Sequence, residues 1–143
     1  MNHTTTIRNK NMKTLLVLAM AFFALGAEAK VGLTKLRVDN MDQPAVIATS
    51  QPRFSWQIVS DKNNVRQTAY QIVVADAQGE VWNSGKVISD RQLWVEYQGT
   101  PLSGAADYTW KAKVWTTAGE SAWTDATPFA IGLLAKPNGV VIG

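Results

Sequence analysis

The sequence predicts an all-β protein, a sandwich of seven short antiparallel strands, and three observations carry that prediction. Two aromatic-rich segments alternate cleanly, Pro52-Arg53-Phe54-Ser55-Trp56-Gln57-Ile58 and Tyr108-Thr109-Trp110-Lys111-Ala112-Lys113-Val114. A large ring at every second position is the period of a half-buried strand. Turn-forming clusters rich in Asp, Asn, Ser and Gly recur between the apolar runs. No stretch beyond residue 29 carries a helical apolar stripe, so the layers are expected to be sheets.

The elements follow in order. Leu33 to Val38 is the first strand, ended by Asp39-Asn40 and a loop through Pro44. On the second, Phe54, Trp56 and Ile58 face one way and Ser55 and Gln57 the other. Ser60-Asp61-Lys62-Asn63-Asn64 is a turn cluster. Thr68 to Ala75 is the third strand, with Tyr70, Ile72 and Val74 inward, and Asp76-Ala77-Gln78-Gly79 turns it into a hairpin partner from Glu80 to Val87. Leu93, Val95 and Tyr97 mark a fifth strand. Tyr108 to Trp115 is the sixth, closed by Thr116-Thr117-Ala118-Gly119-Glu120, and the seventh runs from about Ala126 to Leu133. Leu102 stands six residues before Tyr108 in a small-residue loop. That step resembles the tyrosine corner of immunoglobulin-like sandwiches, and it predicts that the Tyr108 hydroxyl donates to backbone near Leu102.

The two ends read differently from the middle. Arg8, Lys10 and Lys13 precede an uninterrupted apolar run from Leu15 to Leu25, and Ala27-Glu28-Ala29 supplies the small-x-small pattern that a signal peptidase reads. Eleven apolar residues are too few to span a bilayer, which needs about 20. Residues 1–29 therefore read as a secretory signal, residues 30–134 as one sandwich domain, and the protein is expected to be exported, periplasmic or extracellular, with no membrane association once cleaved. After Leu134, Ala-Lys-Pro-Asn-Gly breaks the pattern and Val140-Val141-Ile142-Gly143 begins a new apolar run. Residues 135–143 read either as a linker and the start of a missing next domain or as a tail that folds back.

Cleavage changes the charge. Of 14 Lys+Arg and 11 Asp+Glu, the leader removes three and one, leaving 114 residues at a net charge of +1. The remaining cations are scattered with no basic stripe, which argues against nucleic acid as a partner. The protein has no cysteine, and 114 residues bury enough surface to dispense with a disulfide staple.

The catalytic inventory is short. The one histidine, His3, lies in the leader, so the mature chain has neither His nor Cys. That removes the usual nucleophilic triads and most zinc or copper sites. Glycoside hydrolysis needs only two carboxylates across a cleft. The acids here sit in or beside turns, where Asp is favoured for hydrogen bonding to local backbone. Asp39-Asn40-Met41-Asp42 gathers oxygen atoms of the kind calcium takes, but without the spacing of any defined loop, so a plain turn is the preferred reading. No cofactor, metal or catalytic residue is expected.

Six tryptophans pose the sharper question. Alternation turns Trp56 and Trp110 into the core. Trp94 lies opposite in parity to Leu93 and Val95 and is expected to be exposed. Trp115 falls on the face of Lys111 and Lys113, and Trp123, in the loop after Gly119, is within reach of it. Trp82 lies on a strand whose inward face the pattern does not fix. Exposed rings mark a partner surface. Trp94, Trp115 and Trp123 are thus candidates for contact with a neighbouring domain or, less favoured, a carbohydrate, whereas Trp56, Trp110, Leu102 and Tyr108 are structural.

Several segments together resemble one family. Pro52-Arg53-Phe54-Ser55-Trp56, Gln67-Thr68-Ala69-Tyr70-Gln71-Ile72, Val81-Trp82-Asn83-Ser84-Gly85-Lys86-Val87 and Tyr108 to Trp115 are similar, in this order, to the N-terminal fibronectin-III/immunoglobulin-like domain of bacterial α-L-rhamnosidases of glycoside hydrolase family 78. Ser121-Ala122-Trp123-Thr124 and Phe129 to Leu134 continue the likeness, which covers roughly residues 33 to 134. The W-x-S-G-K-V hairpin combined with the Q-T-A-Y strand is its most specific part. The resemblance implies large exported enzymes that remove terminal α-L-rhamnose with inversion, their two carboxylates carried on an (α/α)6 barrel far downstream. No catalytic position of that barrel maps onto this sequence. The chain then reads as a signal peptide plus a leading accessory domain, truncated before the catalytic domain. Its implied partners are the downstream domains and, weakly, a rhamnose-containing glycan. The alternative is a free-standing exported module that binds sugar or protein.

Overall fold

The computed structural model describes residues 30–135 and 141–142. Among them there is no helix. Twelve strands form: β1 (Val31–Val38), β2 (Ala45–Ile47), β3 (Arg53–Ser60), β4 (Gln67–Asp76), β5 (Gly79–Asn83), β6 (Val87–Ile88), β7 (Val95–Glu96), β8 (Ala106–Thr116), β9 (Gly119–Glu120), β10 (Thr127–Ile131), β11 (Leu134–Ala135) and β12 (Val141–Ile142). A smaller sheet runs β1-β3-β7. A larger one runs β2-β10-β8-β4-β5, with β6 on β4 and β9 on β8, and β11 pairs β12 in a separate ribbon.

The two aromatic segments become the central strands of opposite sheets. Phe54 of β3 meets Trp110 of β8 at 4.6 Å between ring centroids and Phe129 of β10 at 6.1 Å. Val38, Ile72, Val74, Ala112, Val114 and Ile131 close the core around them. The predicted sandwich and the inward Trp56 and Trp110 are present.

Four features differ from the sequence reading, each for a local reason. The loop through Pro44 contains β2, which pairs in parallel with β10, Ala45 opposite Phe129 and Ile47 opposite Ile131. The Glu80–Val87 partner strand is split. Asn83 Oδ1 accepts the Gly85 N–H, and Gly85 takes φ 64°, so the chain steps sideways before β6 resumes opposite Tyr70. Leu93 points outward, 55% exposed, because Trp94 beside it has φ 55°. A left-handed residue breaks the parity on which alternation rests. Ser55, placed outward, is buried at 8% exposure opposite Arg37 of β1. β12, read either as the start of a next domain or as a tail that folds back, pairs with β11, Ala135 opposite Val141. Residues 1–29, on which the expected secretory signal falls, lie outside the described residues.

Three turns follow their sequence signals. Asp39 and Asn40, both at positive φ, form the two-residue connection between Val38 and Met41, which exchange both backbone hydrogen bonds. Asp76 Oδ1 accepts the N–H groups of Gln78 and Gly79. Thr116 Oγ1 accepts the Ala118 N–H and donates to the Gly119 carbonyl.

Candidate interaction surface

The tyrosine corner forms, with its direction reversed. The Ser103 N–H donates to the Tyr108 hydroxyl at 2.9 Å, whereas donation by Tyr108 was expected. The Leu102 N–H donates to the Ser50 carbonyl, and the Leu102 side chain is buried. A second tyrosine, which the sequence did not flag, ties the same loop. Tyr97 donates its hydroxyl to the Thr100 carbonyl at 2.6 Å and packs edge-on to Trp82 of β5, 4.8 Å between centroids. Burial pushes the Tyr97 phenol upward, and the neighbouring Tyr108 adds to the rise.

Trp56 is held by polar chemistry as well as packing. Its indole N–H donates to Gln67 Oε1 at 2.9 Å, and the Gln67 amide nitrogen donates to the carbonyls of Ser89 and Arg91 at 3.0 and 2.9 Å. One buried glutamine thus binds β3, β4 and the segment after β6 together. Trp110, on the other sheet, has no acceptor for its buried indole N–H among the described residues.

The three candidate surface rings are each covered by a cation. The Arg53 guanidinium lies 4.1 Å from the half-buried Trp94 ring. Trp115 lies between Lys86 at 4.5 Å and Lys113 at 5.1 Å. Trp123 is 37% exposed, with Lys111 at 4.9 Å from its ring, so it meets a lysine where contact with Trp115 was anticipated. Such contacts are worth about 0.5–1 kcal/mol each at exposed sites. Ser121 and Thr124, on either side of Trp123, dock its segment along β8. Each donates its N–H to one β8 carbonyl and accepts an N–H through its hydroxyl, Ser121 at Val114 and Thr124 at Ala112.

Several of the acids are engaged in structure. Asp39 accepts the Arg53 N–H at 2.9 Å, and Asp42 binds Arg37 at 2.8 Å. Among the described residues no group of His, Cys, Asp and Glu is clustered to hold a metal. Two hollows stand apart in character. A polar one lies around Asp39, Gln51, Arg53, Glu96 and Gln98. An apolar trough of about 410 Å³ opens on the outer face of the larger sheet, lined by Val46, Ala75, Thr109, Pro128 and Ala130, with Asp76 and Asp107 on its wall.

Paired tyrosines over one loop and paired central tryptophans describe an immunoglobulin-like sandwich closely. A family model for the Rha78A-like N-terminal immunoglobulin domain matches residues 33–135. The chain belongs to this family. It is 34% identical over 142 residues to an α-L-rhamnosidase of Formosa agariphila, a match that covers 91% of this chain and 15% of that protein. The solved Streptomyces avermitilis α-L-rhamnosidase, in complex with L-rhamnose, superposes with a TM-score of 0.67 at 34% identity, over 72% of this chain and 11% of that one. The α-L-rhamnosidase of Dictyoglumus thermophilum gives 0.67 at 30% identity, over 74% and 13%. The chain spans a tenth to a seventh of the length of the curated relatives it matches. That share is their N-terminal immunoglobulin domain, and their catalytic domain has no counterpart in these 143 residues.

Proposed function

We propose that this chain serves as the non-catalytic N-terminal accessory domain of an exported α-L-rhamnosidase of glycoside hydrolase family 78, packing against the domains that follow it. The observation that carries this reading is the match of residues 33–135 to an N-terminal domain whose relatives are α-L-rhamnosidases up to ten times longer. The arrangement of the site agrees with it, because Asp39 and Asp42 hold a turn and arginines, and Asp76, which shares the trough wall with Asp107, is tied by the Gln78 and Gly79 N–H groups. The purified chain is expected to leave an aryl α-L-rhamnoside uncleaved, and turnover above buffer would overturn the reading.

Export is part of the same proposal. The order of cationic, apolar and small-x-small segments in residues 1–29 supports a mature start at Lys30. N-terminal sequencing of secreted material checks this, and recovery of Met1 would refute it.

The second reading, a module for rhamnose-containing glycans, is favoured only by Trp123, whose ring is partly open. One or two stacked rings supply about 1 kcal/mol each, short of the roughly 4 kcal/mol that millimolar affinity requires. Calorimetry returning micromolar affinity for such a glycan would promote it.

A further inference from the structure

We propose that the trough around Val46, Pro128 and Ala130 is the seat of the next domain of the same polypeptide in the longer α-L-rhamnosidases, a proposal that rests on the accessory-domain reading above. Strand register places two rows side by side on the outer face of the larger sheet: Ala75, Thr109 and Pro128, then Asp107, Ala130 and Val46. Elsewhere on this face β8 carries Lys111, Lys113 and Trp115, which fill the surface, Lys113 and Lys86 covering Trp115 and Lys111 covering Trp123. In the two rows the side chains shorten, and the face sinks into an apolar hollow. Val46 on its rim is 59% exposed and Leu133 beside the exit is 65% exposed. Apolar surface left open in a concave face is the usual mark of a partner site.

The position of the hollow identifies the occupant. The chain leaves the sandwich at this edge: Ile131 pairs with Ile47, the Gly132 N–H donates to the Ile47 carbonyl at 2.8 Å, and a Cβ at Gly132 would lie 3.7 Å from Val46 Cγ1. Gly132, where the chain leaves β10, thus lies at the rim of the trough. In the relatives most of the polypeptide remains to follow this domain, since the match takes up only 10–15% of their length. A tethered partner needs little affinity, because a short linker holds it at millimolar effective concentration. Asp76 and Asp107 are the ionisable groups of the wall. The fitting surface is therefore apolar with a Lys or Arg at its edge.

The absence of cysteine from the sequence makes the test direct, because a single introduced thiol reports its own position. Val46→Cys, Ala130→Cys, Val59→Cys on the opposite sheet and Ile88→Cys near Trp115 are prepared in the chain alone. They are also prepared with residues 33–135 replacing the immunoglobulin domain of the full-length Formosa agariphila enzyme. Maleimide modification is followed by mass spectrometry of each thiol's own peptide. Val46→Cys and Ala130→Cys are expected to react about tenfold more slowly in the longer protein, as closing a tethered interface demands, with Val59→Cys and Ile88→Cys unchanged. Protection at Val59 or Ile88 alone would overturn the trough assignment and leave the accessory reading standing. Protection nowhere would overturn both. Protection in the chain alone that grows with concentration would assign the trough to a second copy and overturn the proposal. Should the hybrid not fold, the same scan at the aligned positions of the Formosa enzyme itself carries the same outcomes.

Discussion

Ser121 by itself satisfies both main-chain groups of Val114. Its N–H donates to the Val114 carbonyl at 2.9 Å, and its hydroxyl accepts the Val114 N–H at 3.0 Å. The same exchange links Ser84 with Ile72, Thr124 with Ala112 and Thr117 with Arg66. At these points a hydroxyl stands in for the carbonyl that a regular neighbouring strand would supply, and irregular segments can close a sheet edge without orphaning buried amides.

Removing that hydroxyl has a predictable cost. Val114 is fully buried, so Ser121→Ala leaves its N–H without an acceptor, a loss of about 1–3 kcal/mol. Thr117→Ala strips the same contact from the exposed Arg66 N–H, which water re-satisfies, and should change stability by less than about 0.5 kcal/mol. Urea denaturation of the two variants checks the difference. Equal costs would show that the hydroxyls are incidental.

The two core tryptophans are predicted to respond differently to loss of the indole nitrogen. Trp56→Phe leaves Gln67 Oε1 buried and unpaired, while Trp110→Phe removes a donor that had no protein acceptor. Both variants lose ring volume, and Trp56→Phe should cost about 1–3 kcal/mol more than Trp110→Phe. Gln67→Leu should cost more than Trp56→Phe, because it also strips the Ser89 and Arg91 carbonyls of their donor. Thermal midpoints of the three variants decide it, and a larger loss at Trp110 would refute the role given to Gln67.

How far the sequence reached depends on whether a signal was local. Period-2 runs fixed β3, β4, β8 and β10 and the inward direction of Phe54, Trp56 and Trp110, since alternation is a property of each strand alone. β2 escaped because three residues have no period of their own, and only parallel pairing with distant β10 makes them a strand. Leu93 was misplaced because the positive φ of Trp94 resets parity, and nothing in the residue types announces it. The surface tryptophans were legible as a set, and so was Lys113 on the face of Trp115, but Lys86 over Trp115 and Lys111 over Trp123 were not, since these reach across segments that sequence distance does not order. The trough was illegible for the same reason, being built from short side chains on four strands. Gln67 had a signal that went unused. A glutamine at the head of an apolar strand, opposite a tryptophan-bearing one, is a candidate partner for the indole N–H.

Alkaline pH should unfold the chain sooner than ordinary tyrosines would dictate. Burial raises the phenol of Tyr97, with Tyr108 adding to it, and burial also raises Tyr70 against the opposing pull of Arg91. A folded-state pKa above the unfolded value of 10.0 means that the unfolded chain releases its protons first. The stabilisation is complete below pH 10.0 and is lost as pH climbs through the folded-state values. Tyr97→Phe should flatten that decline while costing about 0.5–1.5 kcal/mol at neutral pH for the bond to Thr100. Denaturant midpoints between neutral and strongly alkaline pH test it, and a slope identical to that of the unsubstituted protein would remove Tyr97 from the account.

Gly99 is predicted to be costly to replace for reasons of space. A Cβ there would lie 2.5 Å from the Tyr97 hydroxyl oxygen, 2.6 Å from its ring carbon and 2.9 Å from Trp82 Cδ1. None of these atoms can retreat freely. The hydroxyl is bonded to the Thr100 carbonyl, and the two rings press against each other between the sheets. Gly99→Ala should therefore destabilise by about 1–3 kcal/mol, as overpacking of a filled core does. Gly32→Ala meets no atom within 4 Å and should be neutral or stabilise by about 0.4–1 kcal/mol through the unfolded chain. Near-ultraviolet circular dichroism adds a readout specific to the site, because a displaced Trp82–Tyr97 pair changes the aromatic signal even in a folded protein. A Gly99→Ala variant with an unchanged midpoint and an unchanged aromatic spectrum would show that the loop after Tyr97 is looser than its two tyrosine ties imply.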